Sequence, residues 1–429
     1  SIELRARTTQ TRPAMIPRSG NDHAIGKMRA TRTTRRNEPL KILTRRDSLA
    51  LIVGLSFMGG ACRTAQPLST PLQSAAAVPA KPVTAPNQGS IVAVMSRVAD
   101  WQLANPSRHQ LWAWHQAPFW ASLHALAPLS KDRAKYLNAI AQTGESNEWN
   151  HGPDKFHADH QAITQAYFLL AKDRKDPRMT AKALALFDEM KSMPFAEPLV
   201  FDQKKTSREW VWCDALFMAP PAMALAASAT GDRTYADLMH RLWWKTTDYL
   251  YDPAEHLYYR DSRYFDQREP NGAKVFWSRG NGWVIAGVAR VLMYLPPDYP
   301  ERPRYVALFK DMAAKIAKIQ QPNGYWGVSL LSPETFPSPE TSGTAFFTYA
   351  LAWGVNEGLL DRAANLPVIL RGWAALNRAV HADGKLGFVQ PVGAAPGATG
   401  PDQTEIYGTG AFILAGSEVH RLVTGPSRP

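Results

Sequence analysis

The strongest limit on what this chain can fold into is a rhythm of apolar residues. They recur at three- and four-residue spacing in 91–104, 130–143, 159–172, 180–190, 213–229, 233–250, 280–295, 303–319, 343–357, 364–380 and 409–423, with a further run near 117–127. That spacing aligns apolar side chains along one face, so each stretch predicts a helix with a side to bury. The boundaries are marked. Thr230-Gly231-Asp232 joins a stop glycine to a start cap, and Asp176-Pro177 and Pro296-Pro297 interrupt neighbouring helices.

The loops repeat as well. NGYWGVSLL (323–331) and DGKLGFVQPV (383–392) each follow a helix, open on a turn dipeptide and continue as a short strand; their starts lie 60 residues apart. EHLYYRDSRY (255–264) begins 68 residues before Asn323 and reads as a diverged third copy. A period of roughly 60 residues, holding two helices and a small hairpin, predicts stacked helical hairpins. Twelve helices paired in this way close into a ring. The expected fold is all-α, an (α/α)6 barrel of six helical hairpins with short β-hairpin loops. An open solenoid would need polar capping units, and none is identifiable. Long aromatic loops around one end of a ring suit a glycan cleft. Fourteen Trp and fourteen Tyr supply ring faces for stacking on sugars.

The net charge of +12 invites a nucleic-acid partner, but its placement excludes one. Residues 1–63 hold thirteen Lys/Arg against four Asp/Glu, which leaves +3 for the other 366 residues. The basic segment reads as an export leader instead. Arg45-Arg46 precede the apolar run 49–61, which is too short to span a membrane, and Cys62 follows it. Residues 1–62 are therefore assigned to a leader and export signal, 63–90 to a Pro/Ala-rich linker, and 91–424 to one catalytic domain. An exported, periplasmic protein is expected, with no transmembrane helix in the mature chain and with Cys62 a candidate lipid anchor. Past the leader Cys213 is the only thiol, so no internal disulfide can form there.

Four segments carry residues suited to chemistry. In WVWCDALFMAPP (210–221), Asp214 is a lone carboxylate in an apolar run that includes Trp212. Such surroundings disfavour the charged form and retain a proton near neutrality. Asp214 also reads as a simple N-cap of the helix that follows. In FHADHQAITQAY (156–167), Asp159 lies between His157 and His160. It reads as the second carboxylate of a glycosidase pair, or as another cap. A metal site is the weaker alternative, because these neighbours leave a helix on different sides. In FWSRGNGW (276–283), Arg279 between Trp277 and Trp283 suits a sugar carboxylate, or caps a helix end. In PETSGTAF (339–346), Thr341, Ser342 and the adjacent N–H groups open a helix, where anions bind.

Together and in this order, WVWCDALFMAPP, GDRTYADLMHRLWWKTTDYLY, FWSRGNGW and PETSGTAFFTYALAWGVNEGLL resemble glycoside hydrolase family 105. These are unsaturated rhamnogalacturonyl hydrolases, relatives of the family 88 unsaturated glucuronyl hydrolases. The resemblance covers roughly 91–424. It implies an (α/α)6 barrel that removes a 4,5-unsaturated uronic acid from the non-reducing end of a lyase-generated oligosaccharide, with no cofactor and no metal. Asp214 matches the acid of the WxD motif, and Asp159 a second aspartate. Arg279 and Trp283 match the uronate-holding residues of RGxxW. Trp277, Trp212, His160 and Ser342 are expected around the substrate. One departure stands out: many relatives carry a histidine near the position of Arg260. The alternatives are another (α/α)6 carbohydrate enzyme (an inverting glycosidase, uronate lyase or epimerase) or a non-catalytic glycan-binding lipoprotein.

Overall fold

A helix that is apolar on every side has to be surrounded by protein. Six helical segments of this chain meet that description: α2 (Ala117–Leu126), α4 with α5 (Ala158–Gln161, Thr164–Arg174), α7 with α8 (Ala215–Met218, Pro220–Thr230), α10 (Ser278–Tyr294), α12 (Thr341–Asn356) and α14 (Ile406–Thr424). In α12 every residue from Thr341 to Val355 is buried. The computed structural model describes residues 86–202 and 208–425, all within one unit that runs from Val78 to Pro429. Arg45-Arg46, Cys62 and most of the linker lie outside the described residues.

The six segments pack in a closed circuit: α2 against α5, α5 against α8, α8 against α10, α10 against α12, α12 against α14, and α14 back against α2. This closure makes a barrel and removes the solenoid alternative. Around it stand α1 (Gln88–Ala104), α3 (Arg133–Ser146), α6 (Arg178–Lys191), α9 (Thr234–Leu250), α11 (Arg302–Lys318) and α13 (Arg362–Arg378). These outer helices bury a stripe only. In α9 the stripe is Tyr235, Leu238, Met239, Leu242 and Thr246, at helical spacing. The first helix starts at Gln88, with the Asn87 side chain accepting from Ser90 N–H, three residues ahead of the boundary read from sequence.

Two inner segments are broken, and the breaks have causes. Pro220 and Pro221 cannot donate to the preceding turn, so α7 ends and α8 restarts at a new angle. The carbonyls released there are not left bare. Buried Gln165 donates through Nε2 to Phe217 O at 2.8 Å and Met218 O at 3.0 Å, and its Oε1 accepts from Arg290 Nε at 2.9 Å.

The expected β-hairpin loops are reduced to one. β1 (Tyr251–Asp252) and β2 (Leu257–Tyr258) pair antiparallel, while the other two loops make single bridges, Trp277 with Ser329 and Val380 with Leu386. What does repeat is the turn. Gly324 and Gly384 have φ of 90° and 101°, and His256 takes φ 55° at the corresponding place. A Cβ on Gly324 would sit 2.5 Å from Arg371 O on α13, and one on Gly384 2.5 Å from Arg97 O on α1. Each turn is pressed onto an outer helix, which leaves no space for a side chain.

Ring closure needs close backbone approach elsewhere too. A Cβ on Gly287 of α10 would lie 2.4 Å from Leu216 O of α7. Gly287→Ala is therefore expected to cost about 1–3 kcal/mol of stability, read as a lower midpoint in denaturant unfolding. An unchanged midpoint would show that α7 and α10 do not pack backbone to backbone.

Candidate active site

The inner helices start at one end of the barrel, and the residues singled out from sequence lie at those starts. Neither aspartate acts as the cap that its position allowed. At α4 the capping group is His157, whose Nδ1 accepts from Asp159 N–H at 3.2 Å. At α7 Asp214 makes no side-chain cap bond. Both carboxylates are left free for other partners.

Asp214 is only 8% exposed. The Cys213 thiol donates to its Oδ2 at 3.5 Å, and Arg260 Nε lies 3.5 Å from the same oxygen. Burial pushes the Cys213 thiol up, so it stays a protonated donor. The apolar wall expected around Asp214 is thus breached by a cation. Arg260 is locked in place from two sides. Its Nη1 donates to Asp261 at 2.7 Å, and its carbonyl accepts from Cys213 N–H at 2.9 Å.

Asp159 keeps about a fifth of its side chain open (19%), yet its Oδ1 is buried without a hydrogen-bond partner. Burial first, and the negative charge of Asp214 second, push its pKa up to about 7, with Arg260 pulling the other way. The charge on Asp214 is therefore felt at Asp159. Around them are rings. Trp212 lies 4.9 Å from His157, His157 5.1 Å from His160, and Trp112 meets His160 edge-on at 4.4 Å. His160 Nδ1 accepts from Asp154 N–H at 2.8 Å. Burial lowers His157 to about 4, so it is an uncharged neighbour near neutral pH.

The RGxxW segment is placed differently from the expectation. Arg279 has no exposed surface. Its Nη1 donates to Gln390 O at 2.6 Å, Pro391 O at 2.9 Å and Tyr407 Oη at 2.7 Å, and Nη2 reaches Gly393 O at 3.3 Å. The guanidinium lies over the Trp277 ring at 4.4 Å, and Trp277 Nε1 donates to Gln390 Oε1 at 2.6 Å. Trp283 is fully buried between Phe217 and Phe346. Arg279 and Trp277 anchor the 390–393 loop, and Trp283 packs in the core, instead of presenting themselves to a ligand. The reason is the cost of a buried guanidinium: with no carboxylate in reach, carbonyls must take its N–H groups.

Ser342 is corrected for a related reason. The start of α12 does bind an anion, but an internal one. Glu340 accepts from Ser342 N–H at 2.8 Å and Gly343 N–H at 2.6 Å, and also from the Ser342 hydroxyl.

One segment was overlooked. Residues 105–116, between α1 and α2, lay half-buried rings over the helix starts. Trp114 stacks on His115 at 3.8 Å and on Tyr407 at 5.2 Å, and meets Trp283 edge-on. His109 stacks on His115 at 3.6 Å, and its Nε2 lies 3.1 Å from Glu405 Oε2 at the head of α14. The available signal was HQLWAWHQ, two Trp and two His within eight residues.

A cavity of about 870 Å³ lies at the opposite end of the barrel, lined by later residues of the inner helices, Arg290 and Glu418 among them. It contains neither Asp159 nor Asp214, and its arginine serves the Gln165 network. Size alone does not make it the reaction centre, because the coupled acids are at the other end.

The model of Glycosyl Hydrolase Family 88 matches residues 91–423. The unsaturated 3S-rhamnoglycuronyl hydrolase of Formosa agariphila is 38% identical over 356 residues, which is 78% of this chain and 92% of that protein. A solved structure named as a polysaccharide lyase aligns at 32% identity with a TM-score of 0.72, across 80% of this chain and 99% of the other. A solved family 88 glycosyl hydrolase from Bacteroides vulgatus aligns at 31% identity with a TM-score of 0.71, across 79% of this chain and all of the other. The match runs from the first helix of the ring to the last, and the chain belongs to glycosyl hydrolase family 88.

Proposed function

We propose that the chain removes a 4,5-unsaturated uronic acid from the non-reducing end of oligosaccharides left by a polysaccharide lyase. The observation that carries this reading is the pair of poorly satisfied carboxyls at one mouth, buried Asp214 beside Arg260 and Asp159 with an unpartnered Oδ1 and a pKa raised to about 7. The substrate is an enol ether. A proton held by the Asp159–Asp214 pair adds to C4. Positive charge then develops at C5 and the ring oxygen, where the conjugate carboxylate opposes it. Water adds at C5 and returns a proton to the pair. The hemiketal collapses and the glycosidic bond breaks. One water is consumed and the acid is regenerated.

Trp212 and His160 flank the pair, and Trp112 and Trp114 offer half-buried ring faces for the sugar. Rhamnose is the proposed neighbour of the uronate, by analogy with the Formosa relative's name. Export to the periplasm, with Cys62 as a lipid anchor, is carried as a proposal on Arg45-Arg46 and the 49–61 run alone. Among the described residues no helix is long and apolar enough to cross a membrane.

A lyase is the second reading, because one close structural neighbour carries that name. The two reactions differ in sign: a lyase creates the absorbing unsaturated uronate, and this hydrolase destroys it. Incubation with lyase-generated rhamnose-containing fragments should lower ultraviolet absorbance. A rise on intact polysaccharide, with no loss on fragments, would reject the hydrolase. Asp214→Asn should reduce turnover about 100- to 10,000-fold and leave the unfolding midpoint and oligosaccharide binding near wild type. Retained turnover would remove Asp214 from the mechanism, and lost turnover without binding loss would reject a glycan-binding protein without catalysis.

The pH dependence follows from Asp159. Its folded pKa is raised, so the proton is present below about 7 and lost above it. Activity should decline as pH rises through that value. The same shift gives a stability term that is full below the unfolded carboxyl pKa and lost as pH rises through about 7. Asp159→Asn should therefore gain stability relative to wild type in alkaline buffer; a constant difference between the two proteins from pH 4 to 9 would contradict the assignment.

A further inference from the structure

We infer that Arg260 is a positioning residue that limits the Asp159–Asp214 pair to one proton, so that the site holds an acid and a base together. This rests on the proposed hydrolysis, which needs both: one group to give a proton at C4 and one to take a proton from water at C5. Two buried carboxyls with no cation nearby would each favour the neutral form, and no base would remain. A cation in contact with one of them removes one proton from the pair.

Arg260 is the described cation that touches the acids, with Nε 3.5 Å from Asp214 Oδ2 and a side chain only 15% exposed. The other groups facing the pair do not replace it. From α4 come His157 and His160, both shifted toward the uncharged form by burial. Beside Asp214 is the protonated Cys213 thiol. From the segment after β2 come Asp261, Arg263 and Tyr264. Asp261 is fully buried and is matched by Arg263, with Nε donating at 2.8 Å and Nη2 at 2.8 Å. That leaves part of Arg260's charge for Asp214, although Arg260 also donates to Asp261. Arg279 makes no ion pair with either aspartate, and its Nη groups are held by carbonyls and the Tyr407 hydroxyl. A histidine at this position would hold its charge only in acid. Arginine keeps it at every working pH.

The test is a pH profile of kcat and of kcat/KM on an ultraviolet-absorbing unsaturated oligosaccharide, for the wild type, Arg260→Met and Arg260→Lys. Without the cation, both limbs of the Met variant should move about one unit or more to higher pH, with kcat at pH 6 down at least about tenfold. The Lys variant should bring both limbs back toward wild type. A folded Met variant with unmoved limbs would overturn the inference. Asp261 retains Arg263 as a partner, so the Met variant should fold; should it not, Arg260→Gln is measured in its place. An independent reading needs no change at Arg260. Difference infrared spectra at pH 6, wild type against Asp159→Asn/Asp214→Asn, should show one protonated carboxyl lost, and two lost, or none, would refute the claim. Failure here is distinguishable from failure of the function: turnover retained in Asp214→Asn sinks the hydrolysis mechanism, whereas turnover lost in Asp214→Asn with limbs unmoved in Arg260→Met sinks only the role of Arg260.

Discussion

Six apolar segments that can only be buried by one another are the constraint from which the rest follows. Their mutual packing closes the ring, and the chain alternates outer and inner helices, so the inner ones all run in the same direction. Their N-termini therefore meet at one end. Asp159, Asp214, Arg279, Ser342 and Glu405 sit at or within two residues of five of those starts. Each helix start brings unpaired N–H groups and the positive end of a dipole, about 0.3–1 kcal/mol of preference for negative charge at an exposed end. A uronate and two carboxylates are suited to that end. The opposite end, where the dipoles are negative, holds the buried guanidinium of Arg290 instead.

Packing the ring this tightly makes an unpartnered charge at its mouth costly. The solutions differ, and function follows from the difference. Arg279 is satisfied by carbonyls and a phenol, Glu340 by the N–H groups of its own helix, and Asp261 by two arginines. These groups are engaged: each is held by several partners and fixes a loop or a helix start in place. Asp214 and Asp159 are open. Asp214 has a long contact to Arg260 and a weak thiol donor, and Asp159 has a buried oxygen with no donor at all. Groups whose needs are left unmet by the fold are the ones that can respond to a ligand.

This difference also explains how far the sequence could be read. The helices were legible because burying one side leaves a period, and all twelve runs became helices or paired segments of one. The breaks within the second and third inner segments were not, although Pro220-Pro221 marked one of them. Asp159, Asp214, His160 and Trp212 lie at or beside helix starts, which are local features that a sequence displays. Arg279, Trp277, Trp283 and Ser342 were read as exposed to ligand and are buried. A motif states which residues are near one another, not which of them the loop at 390–393 or the side chain of Glu340 will already have claimed. Trp112, Trp114 and His115 were missed because a twelve-residue loop has no period to detect. The capping place before α4 is held by a residue that no capping rule favours, His157, whose Nδ1 accepts from Asp159 N–H.

The coupling between the two acids bears on which reaction the ring can run. An inverting glycosidase separates its acid from its base by roughly 6.5–9.5 Å, so that a water fits between the base and the anomeric carbon. Here the charge on Asp214 is strong enough at Asp159 to rank second only to burial in raising it. Two acids that share one site suit a reaction in which the proton enters and leaves at adjacent carbons. Addition of water across C4 and C5 has that form; displacement at an anomeric carbon from opposite faces does not. Two carboxyls held at one mouth can give a proton to carbon and recover one from water without either aspartate leaving its helix start.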